Sequence, residues 1–280
     1  MAGLNVLVCA KQIPNPSAEE GFDPDTKTLL RPERLVLDEA DTFGVELALR
    51  LVEGAGAGSV TAVSMAPDSE TDGLRSALAL GAHGAILVSD PALSGTDALG
   101  TAKVLAAVAR RVGADLVVAA TESTDGYTGT VPVQVAELLG VAAVSFARNV
   151  ELDDQLLHVQ RQTEEGSEDI DCPLPAVITV TSGTVDVRYP SFKAKMAAKS
   201  KQVEVLALTD LELDAAGVGA AGARQEVVSV TVEDDGQAAG SSAFASVFGK
   251  VEKSKATNVI EDDGTAHERI LASLTSWNAL

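Results

Sequence analysis

Short apolar runs alternate with amphipathic segments through the first half of the chain. The apolar runs are rich in β-branched residues, which is typical of buried strands, and they cover residues 5–10, 59–64, 85–88 and 115–120. A helical pattern follows each of these runs, as it does in sheets whose parallel strands are joined by crossover helices. The pattern therefore predicts a doubly wound α/β fold with a mainly parallel sheet.

Spacing and stop signals predict three helices between and after these strands. The apolar positions of the first helix recur at i, i+3, i+4 and i+7 and are Val45, Ala48, Leu49 and Val52. Gly54 follows this stripe and predicts its end. The second helix is predicted at 69–80 with Asp68 or Ser69 as its N-cap, and the third at 97–112.

The pattern changes after Gly140, where apolar and polar positions begin to alternate. Runs at 142–149, 156–162 and 176–181 are joined by turn-prone residues and predict an antiparallel extension of the sheet. A last strand is predicted at 203–207.

Beyond this strand the sequence loosens, so we predict a core over residues 1–209 and a C-terminal arm over residues 210–280. The arm contains one strand-like run at 226–232 and a helix that a capping box opens at Thr265 and Glu268. The apolar face of that helix consists of Ile270, Leu271, Leu274 and Trp277. Such a face packs either on its own domain or on a partner subunit.

Composition narrows the functional classes. The chain has 280 residues, 46% of them hydrophobic, and a formal net charge of −20, which opposes binding to nucleic acid or to an anionic membrane. No apolar run is long enough to cross a bilayer and the first residues lack signal-peptide features, so we expect a cytoplasmic protein without membrane insertion. Two cysteines and three histidines lie far apart, and no metal site is predicted.

One segment departs from the acidic background. Residues 188–201, which we call the basic segment, carry Arg188, Lys193, Lys195, Lys199 and Lys201 and no acidic side chain. An aromatic residue stands among these cations at position 192. An apolar side chain surrounded by positive charge predicts a surface that contacts another molecule.

Residues 121–130 form the most site-like loop, because they follow the fourth predicted strand and precede a helical run at 133–139. Ligands of doubly wound sheets bind beyond the carboxyl ends of the strands, where glycines and hydroxyls can hold a phosphate at a helix N-terminus. The alternative is a polar turn with Thr128 or Thr130 as N-cap. Residues 38–41 are likewise either a helix cap or a turn that closes over an adenosine.

No motif for bond-making chemistry is present. The chain has no GxGxxG, no Walker lysine loop and no GxSxG elbow, and its cysteines and histidines show no catalytic spacing. We therefore expect a binding protein that is not an enzyme.

Several separated motifs, in order, resemble the β subunit of electron transfer flavoprotein over residues 6–208. They lie at residues 8–14, 37–41, 45–50, 77–82, 122–126, 174–177, 188–193 and 196–199. The resemblance implies a Rossmann-like fold of the adenine nucleotide α-hydrolase type. It also implies a heterodimer with an α subunit that holds redox-active FAD, while the β subunit carries AMP or, in bifurcating members, a second FAD.

The resemblance further implies partners and site residues. Electrons arrive from acyl-CoA-type dehydrogenases and leave to a quinone oxidoreductase. The nucleotide is expected to contact Cys9, Asp38, Glu39, Ala40, Asp41, Met65, Ser123, Thr124, Asp125, Gly126, Tyr127, Thr128, Gly129 and Thr130. A recognition loop over residues 183–201 is expected to dock through Arg188, Tyr189, Phe192, Lys193, Lys195, Met196 and Lys199. Phe192 takes the anchor position, where leucine is common in the family, and the arm packs on the α subunit.

Two other functions fit the residues alone. An adenine-nucleotide-binding enzyme or a stress-type nucleotide sensor would use the loop at 121–130 for ATP, although that loop has no lysine for a phosphate, which disfavours hydrolysis. A structural scaffold would bind no nucleotide.

Overall fold

A computed structural model of the protein describes residues 3–16, 21–23, 25–31 and 34–230. The chain divides into two compact units, Met1–Val227 and Val228–Leu280, and the described residues belong to the first unit except for 228–230. The elements in chain order are β1 Leu4–Cys9, β2 Gln12–Ile13, β3 Val36–Leu37, α1 Glu39–Ala55, β4 Gly58–Met65, α2 Asp72–Leu80, β5 Gly84–Val88, α3 Ala98–Val112, β6 Leu116–Ala120, α4 Val131–Leu139, β7 Ala142–Asp153, β8 Leu156–Gln162, β9 Ser167–Pro173, β10 Ala176–Val180, α5 Phe192–Ser200, β11 Glu204–Leu206 and α6 Gly219–Gly222. Short 3₁₀ turns lie at Pro91–Leu93, Leu208–Leu211 and Ala215–Gly217.

A nine-stranded sheet with the strand order β11-β5-β4-β1-β6-β10-β7-β8-β9 forms the centre of the first unit. All neighbours from β11 to β7 are parallel, whereas β8 pairs antiparallel with both β7 and β9. β2 and β3 form a separate antiparallel ladder. This topology confirms the predicted doubly wound α/β fold and its antiparallel extension.

Helices cover both faces of the parallel strands. On one face α1 and α2 bury an apolar layer that includes Val45, Ala48 and Leu74, and on the other face α3 and α4 bury a layer that includes Val104 and Val135. Each fully buried side chain of this size contributes about 1.5–3 kcal/mol, so the two layers hold the sheet rigid between them. The stripe predicted for the first helix is buried throughout.

Two helix boundaries differ from the predictions. α1 continues past Gly54 and ends at Ala55. Its C-cap is Gly56, whose left-handed backbone (φ +74°) lets its N–H bond the carbonyls of the last turn. α2 begins after Thr71 rather than at 69, because Ser69 has a positive φ of 71° that no helix accommodates. The Asp68 carboxylate accepts from Ser69 N–H at 2.9 Å, so it caps this local turn and not the helix.

Two strands also differ from the predictions. β9 is not predicted, because this edge strand is mostly exposed and shows only two inward positions, Ile170 and Cys172. The run predicted at 176–181 as part of the antiparallel extension is instead β10, a parallel strand between β6 and β7. Its five residues are all buried, as expected of a strand that is covered on both faces.

Three further predictions concern the chain from residue 188 onward. The basic segment is partly helical, since α5 begins at Phe192. Residues 226–230 do not form the predicted strand. The predicted arm helix, with its capping box at Thr265 and Glu268, lies outside the described residues. Among the helices that the structure describes, none combines the length and the apolar character needed to cross a bilayer.

Candidate functional site

The strand order reverses at β1, and this reversal marks a ligand crevice. From β1 the chain proceeds to β4 and β5 on one side and then returns to β6 on the other side of β1. In doubly wound sheets the crevice between two such strands, beyond their carboxyl ends, is the usual ligand site. Residues 121–130, here called the switch-point loop, lie at this position because they follow Ala120, the last residue of β6.

Asp38 joins the start of α1 to the switch-point loop. Its fully buried carboxylate accepts from Ala40 N–H at 3.1 Å through Oδ1, and from Thr124 N–H at 2.8 Å and Thr124 Oγ1 at 3.1 Å through Oδ2. The same carboxylate is therefore both the N-cap of α1 and an anchor of the loop. The helix-cap interpretation of residues 38–41 is therefore confirmed for this side chain, and the adenosine interpretation stays a prediction.

A second anchor uses two cations that sequence reasoning missed. Lys11 Nζ lies 2.5 Å from Asp125 Oδ1 and donates to Ser123 Oγ at 3.0 Å, while Arg31 Nη2 lies 2.6 Å from Asp125 Oδ2. Burial tends to raise the pKa of Asp125, but Lys11 and Arg31 hold that pKa below its usual value. The lysine that the loop itself lacks is thus supplied from the end of β1, within the motif at 8–14.

The far end of the switch-point loop presents open hydrogen-bond donors. In the described part of the chain, no acceptor lies against the N–H groups of Thr128, Gly129 and Thr130. Thr130 stands at the N-cap of α4, one of the two predicted positions, but its side chain makes no capping bond. Positive φ angles at Tyr127 (47°) and Gly129 (61°) turn successive amides, an arrangement that suits an anion at a helix N-terminus.

Gly126 keeps the inner side of this loop free. A Cβ added at Gly126 would lie 3.3 Å from both Lys11 Nζ and Ser123 Oγ. The open N–H donors, the hydroxyls and the nearby lysine therefore fit one phosphate group of a nucleotide.

The remaining predicted contact residues form the surroundings of the crevice. Cys9 and Met65, at the ends of β1 and β4, are half-buried and pack against the apolar layer of α3. Burial and the nearby Asp41 carboxyl raise the pKa of the Cys9 thiol to about 12, so this thiol stays protonated. Ala40 is half-buried, while Glu39 is exposed and its carbonyl accepts from a threonine hydroxyl of α1.

Asp41 is expected to make stability depend on pH. Burial raises its pKa to about 8, with a further contribution from Asp38, although Lys11 N–H donates to Asp41 Oδ2 at 2.6 Å and opposes the shift. The folded protein therefore keeps a proton that the unfolded chain releases between pH 4 and 8. The free energy of unfolding should fall as pH rises through this window, by at most about 1.4 kcal/mol per unit.

Urea unfolding from pH 5 to 9 checks this expectation. Asp41→Asn should lack the decline, whereas Glu39→Gln, at an exposed position two residues earlier, should keep it. Parallel pH profiles for the parent protein and Asp41→Asn would rule out this role of Asp41.

The basic segment forms a displayed helix. Ser191 Oγ caps α5 by accepting from Ala194 N–H at 3.1 Å. Tyr189, Phe192 and Met196 are 87%, 79% and 49% exposed. Tyr189 precedes α5, and the spacing of four residues places Phe192 and Met196 on one side of the helix. Lys195 Nζ lies 4.8 Å from the centre of the Tyr189 ring. Lys193 and Lys199 are also exposed.

The carboxyl end of α5 is fixed to the body of the protein. Arg75 on α2 donates to the carbonyls of Ala198, Lys199 and Lys201 at 3.0, 2.8 and 3.3 Å. Lys201 Nζ donates to Ala82 O at 2.9 Å. The helix is therefore held in place before any partner binds, which lowers the entropic cost of docking.

Arg188 is predicted to take part in docking, and the structure pairs its side chain within the chain. Its guanidinium lies 2.6 Å from Glu46 Oε2 and 2.8 Å from Glu53 Oε1, both on α1. Hydrogen bonds to Glu53 and Glu46 raise the pKa of Arg188 above its usual value. Arg188 thus anchors the base of the segment, and Tyr189 begins the displayed part.

These features define a doubly wound α/β protein with a ligand crevice at its switch point and a projecting basic helix. A family model described as the electron transfer flavoprotein domain matches residues 27–211. Electron transfer flavoprotein subunit beta of Mycobacterium bovis is 37% identical over 233 residues, which cover 81% of this chain and 88% of that protein. The chain belongs to the electron transfer flavoprotein family, among the β subunits, as the sequence motifs indicate.

Two further relatives extend the comparison. Electron transfer flavoprotein subunit beta of Thermoanaerobacterium thermosaccharolyticum is 36% identical over 230 residues, covering 81% of this chain and 88% of that protein. The caffeyl-CoA reductase-Etf complex subunit CarD of Acetobacterium woodii is 33% identical over 218 residues, covering 77% and 83%. β Subunits of this family are electron-carrier subunits.

Proposed function

We propose that this protein is the β subunit of a heterodimeric electron transfer flavoprotein. Its α subunit holds the redox-active FAD, and the pair carries electrons in the cytoplasm from acyl-CoA-type dehydrogenases to a quinone oxidoreductase. The chain performs no bond chemistry of its own. Family membership over residues 27–211 carries this proposal, since the relatives named above are β subunits or components of Etf complexes.

We propose AMP as the nucleotide of the switch-point loop. The open N–H groups at 128–130 and the hydroxyls of the loop offer a place for one phosphate, and Asp38 to Asp41 with Cys9 and Met65 surround the adenosine. A second FAD, as in bifurcating members, is the alternative ligand. AMP is favoured because the three consecutive open N–H groups at 128–130 are a donor set that suits one phosphate.

The displayed side of the basic segment is the proposed docking surface. Tyr189, Phe192 and Met196 enter an apolar pocket of the dehydrogenase, and Phe192 is the anchor. Lys193, Lys195 and Lys199 steer the approach of an acidic partner. The relative that is part of a caffeyl-CoA reductase-Etf complex supports an enzyme of CoA thioesters as the partner.

The part of the predicted arm beyond residue 227 is proposed to pack on the α subunit.

Co-purification with the α subunit tests the proposal. The complex should be yellow, should accept electrons from an acyl-CoA dehydrogenase, and should release one AMP per β subunit when it is denatured. Mass spectrometry of the released ligand separates the possibilities, since ATP would indicate the enzyme or sensor and no nucleotide the scaffold. A colourless chain that never associates with a flavoprotein subunit would refute the proposal.

A further inference from the structure

We propose that Lys11, Asp125 and Arg31 form an ion-pair clamp that holds the switch-point loop in its ligand-binding shape. Lys11 and Arg31 act as positioning residues, because each contacts the loop through its own side chains. The inference rests on the proposed function only for the identity of the ligand.

Asp125 is built into this position and is not a surface charge. Its side chain is only 6% exposed, and each of its two oxygens faces a different cation, at 2.5 Å and 2.6 Å. A buried carboxylate with a single weak partner would destabilise the fold, whereas two charge-assisted contacts offset the cost of burying it. Asp125 therefore stays where both cations can reach it, and the loop stays with it.

Arg31 connects three parts of the chain. Its Nη2 pairs with Asp125, while its Nη1 donates to the carbonyl of Gln12 in β2 at 3.2 Å. A planar guanidinium can donate to both acceptors at once through separate N–H groups. A lysine ammonium can also contact two acceptors, but without this fixed geometry. Arg31 lies two residues after Leu29, which forms an isolated β-bridge with Phe22. The side chain of Arg31 therefore connects this segment to the switch-point loop.

Lys11 completes the clamp through the other oxygen of the Asp125 carboxylate. Its ammonium bonds both Asp125 and Ser123, and Gly126 approaches so closely that a side chain there would contact it. Asp38 fixes Thr124, so the loop is held at residues 123, 124 and 125 in succession. The N–H groups at 128–130, which have no acceptor among the described residues, lie beyond this held part of the loop.

The clamp predicts coupled effects of substitution. Arg31→Gln should speed the release of AMP from the complex about tenfold, the change expected when one charge-assisted hydrogen bond is lost. Asp125→Asn loses the contacts to both cations and should speed the release at least as much. The double variant should release AMP no faster than Asp125→Asn alone, because that substitution already removes the contact between Arg31 and Asp125. Arg31→Lys keeps the charge and should give an intermediate rate.

The experiment uses the full-length chain bound to its α subunit and loaded with radiolabelled AMP, which is chased with unlabelled AMP. Arg34→Gln is the matched control, since Arg34 is an exposed arginine paired with Asp72 away from the loop. Hydrogen exchange of the peptide over residues 121–130 gives a second readout, because Tyr127 N–H bonds Ser123 O at 3.0 Å within the loop. Exchange there should quicken in Arg31→Gln and in Asp125→Asn but not in Arg34→Gln.

Several outcomes of these measurements would overturn the proposed clamp. Unchanged AMP release and unchanged exchange in Asp125→Asn would overturn the clamp, and so would additive effects in the double variant. Slower release in Asp125→Asn would overturn it too, because Asp125 would then compete with phosphate for the cations. If the parent complex holds no AMP, the proposed ligand is wrong, and the exchange measurements still test the clamp.

Discussion

Replacing Arg188 with alanine is expected to lower the free energy of unfolding by about 2–3 kcal/mol. The side chain of Glu46 is only 3% exposed, and Arg188 meets it through Nε at 2.6 Å, Nη2 at 3.2 Å and the backbone N–H at 3.2 Å. Removing the guanidinium leaves this buried carboxylate with Arg50, 2.8 Å away, as its remaining charged partner. A loss of this size in a unit of this length lowers the melting temperature by roughly 4–12 °C.

The pH dependence of this loss distinguishes an ion pair from simple packing. Burial tends to raise the pKa of Glu46, but hydrogen bonds from Arg188 and Arg50 hold it below the ordinary value of 4.5, and Arg188 lowers the pKa of Glu53 as well. A carboxylate with a lowered pKa stabilises the fold above its unfolded pKa and loses that contribution as it becomes protonated. The difference between parent and variant should therefore shrink as pH falls below about 4.5.

Chemical unfolding of the parent protein, Arg188→Ala and the control Arg111→Ala measures both effects. Arg111 pairs with Glu204 at 3.3 Å between half-exposed side chains, so its removal should cost about 1 kcal/mol or less. Equal losses in the two variants would show that Arg188 is no special anchor. Impaired electron transfer at unchanged stability would instead indicate that Arg188 takes part in docking.

The sheet and its helices could be predicted because their apolar positions follow the periods of buried strands and amphipathic helices. The fully buried β10 also gave a clear apolar run, but its direction depends on which strands flank it, and periodicity does not carry that information. β9 could not be predicted because an edge strand with exposed acidic side chains lacks an apolar pattern. The end of α1 was misplaced because glycine in a helix is tolerated until the chain needs a positive φ, as it does at Gly56.

The site was predictable where its residues adjoin in sequence and not where they meet through folding. The switch-point loop and Asp38 stand at recognisable element ends. Lys11 and Arg31 reach Ser123 and Asp125 across sequence separations of 112 and 94 residues, and no spacing rule relates such positions. The one available signal was the place of Lys11 directly after a central strand, where side chains lie near the carboxyl edge.

Replacing Phe192 with alanine is expected to lower kcat/KM for reduction by an acyl-CoA dehydrogenase about 30-fold, the effect of losing an interface anchor worth about 2 kcal/mol. Phe192 is 79% exposed at the first position of α5, so its ring is free to be buried by a partner. Because few contacts within the chain are lost, the free energy of unfolding should change by no more than about 0.5 kcal/mol. The flavin and nucleotide content of the complex should stay the same.

Three further measurements make this prediction specific. Phe192→Leu should retain most of the rate, because an aliphatic side chain of similar size can fill the same pocket, whereas Val205→Ala, at an exposed apolar position on the edge strand β11, should leave it unchanged. Raising the salt concentration should slow docking through Lys193, Lys195 and Lys199, since exposed charges are screened over about 10 Å at 0.1 M. Salt and Phe192→Ala should act independently, because the lysines steer the encounter while the ring holds the complex. If Phe192→Ala keeps the parent kcat/KM, the ring is not the anchor, and the exposed side of α5 serves another purpose than docking the dehydrogenase.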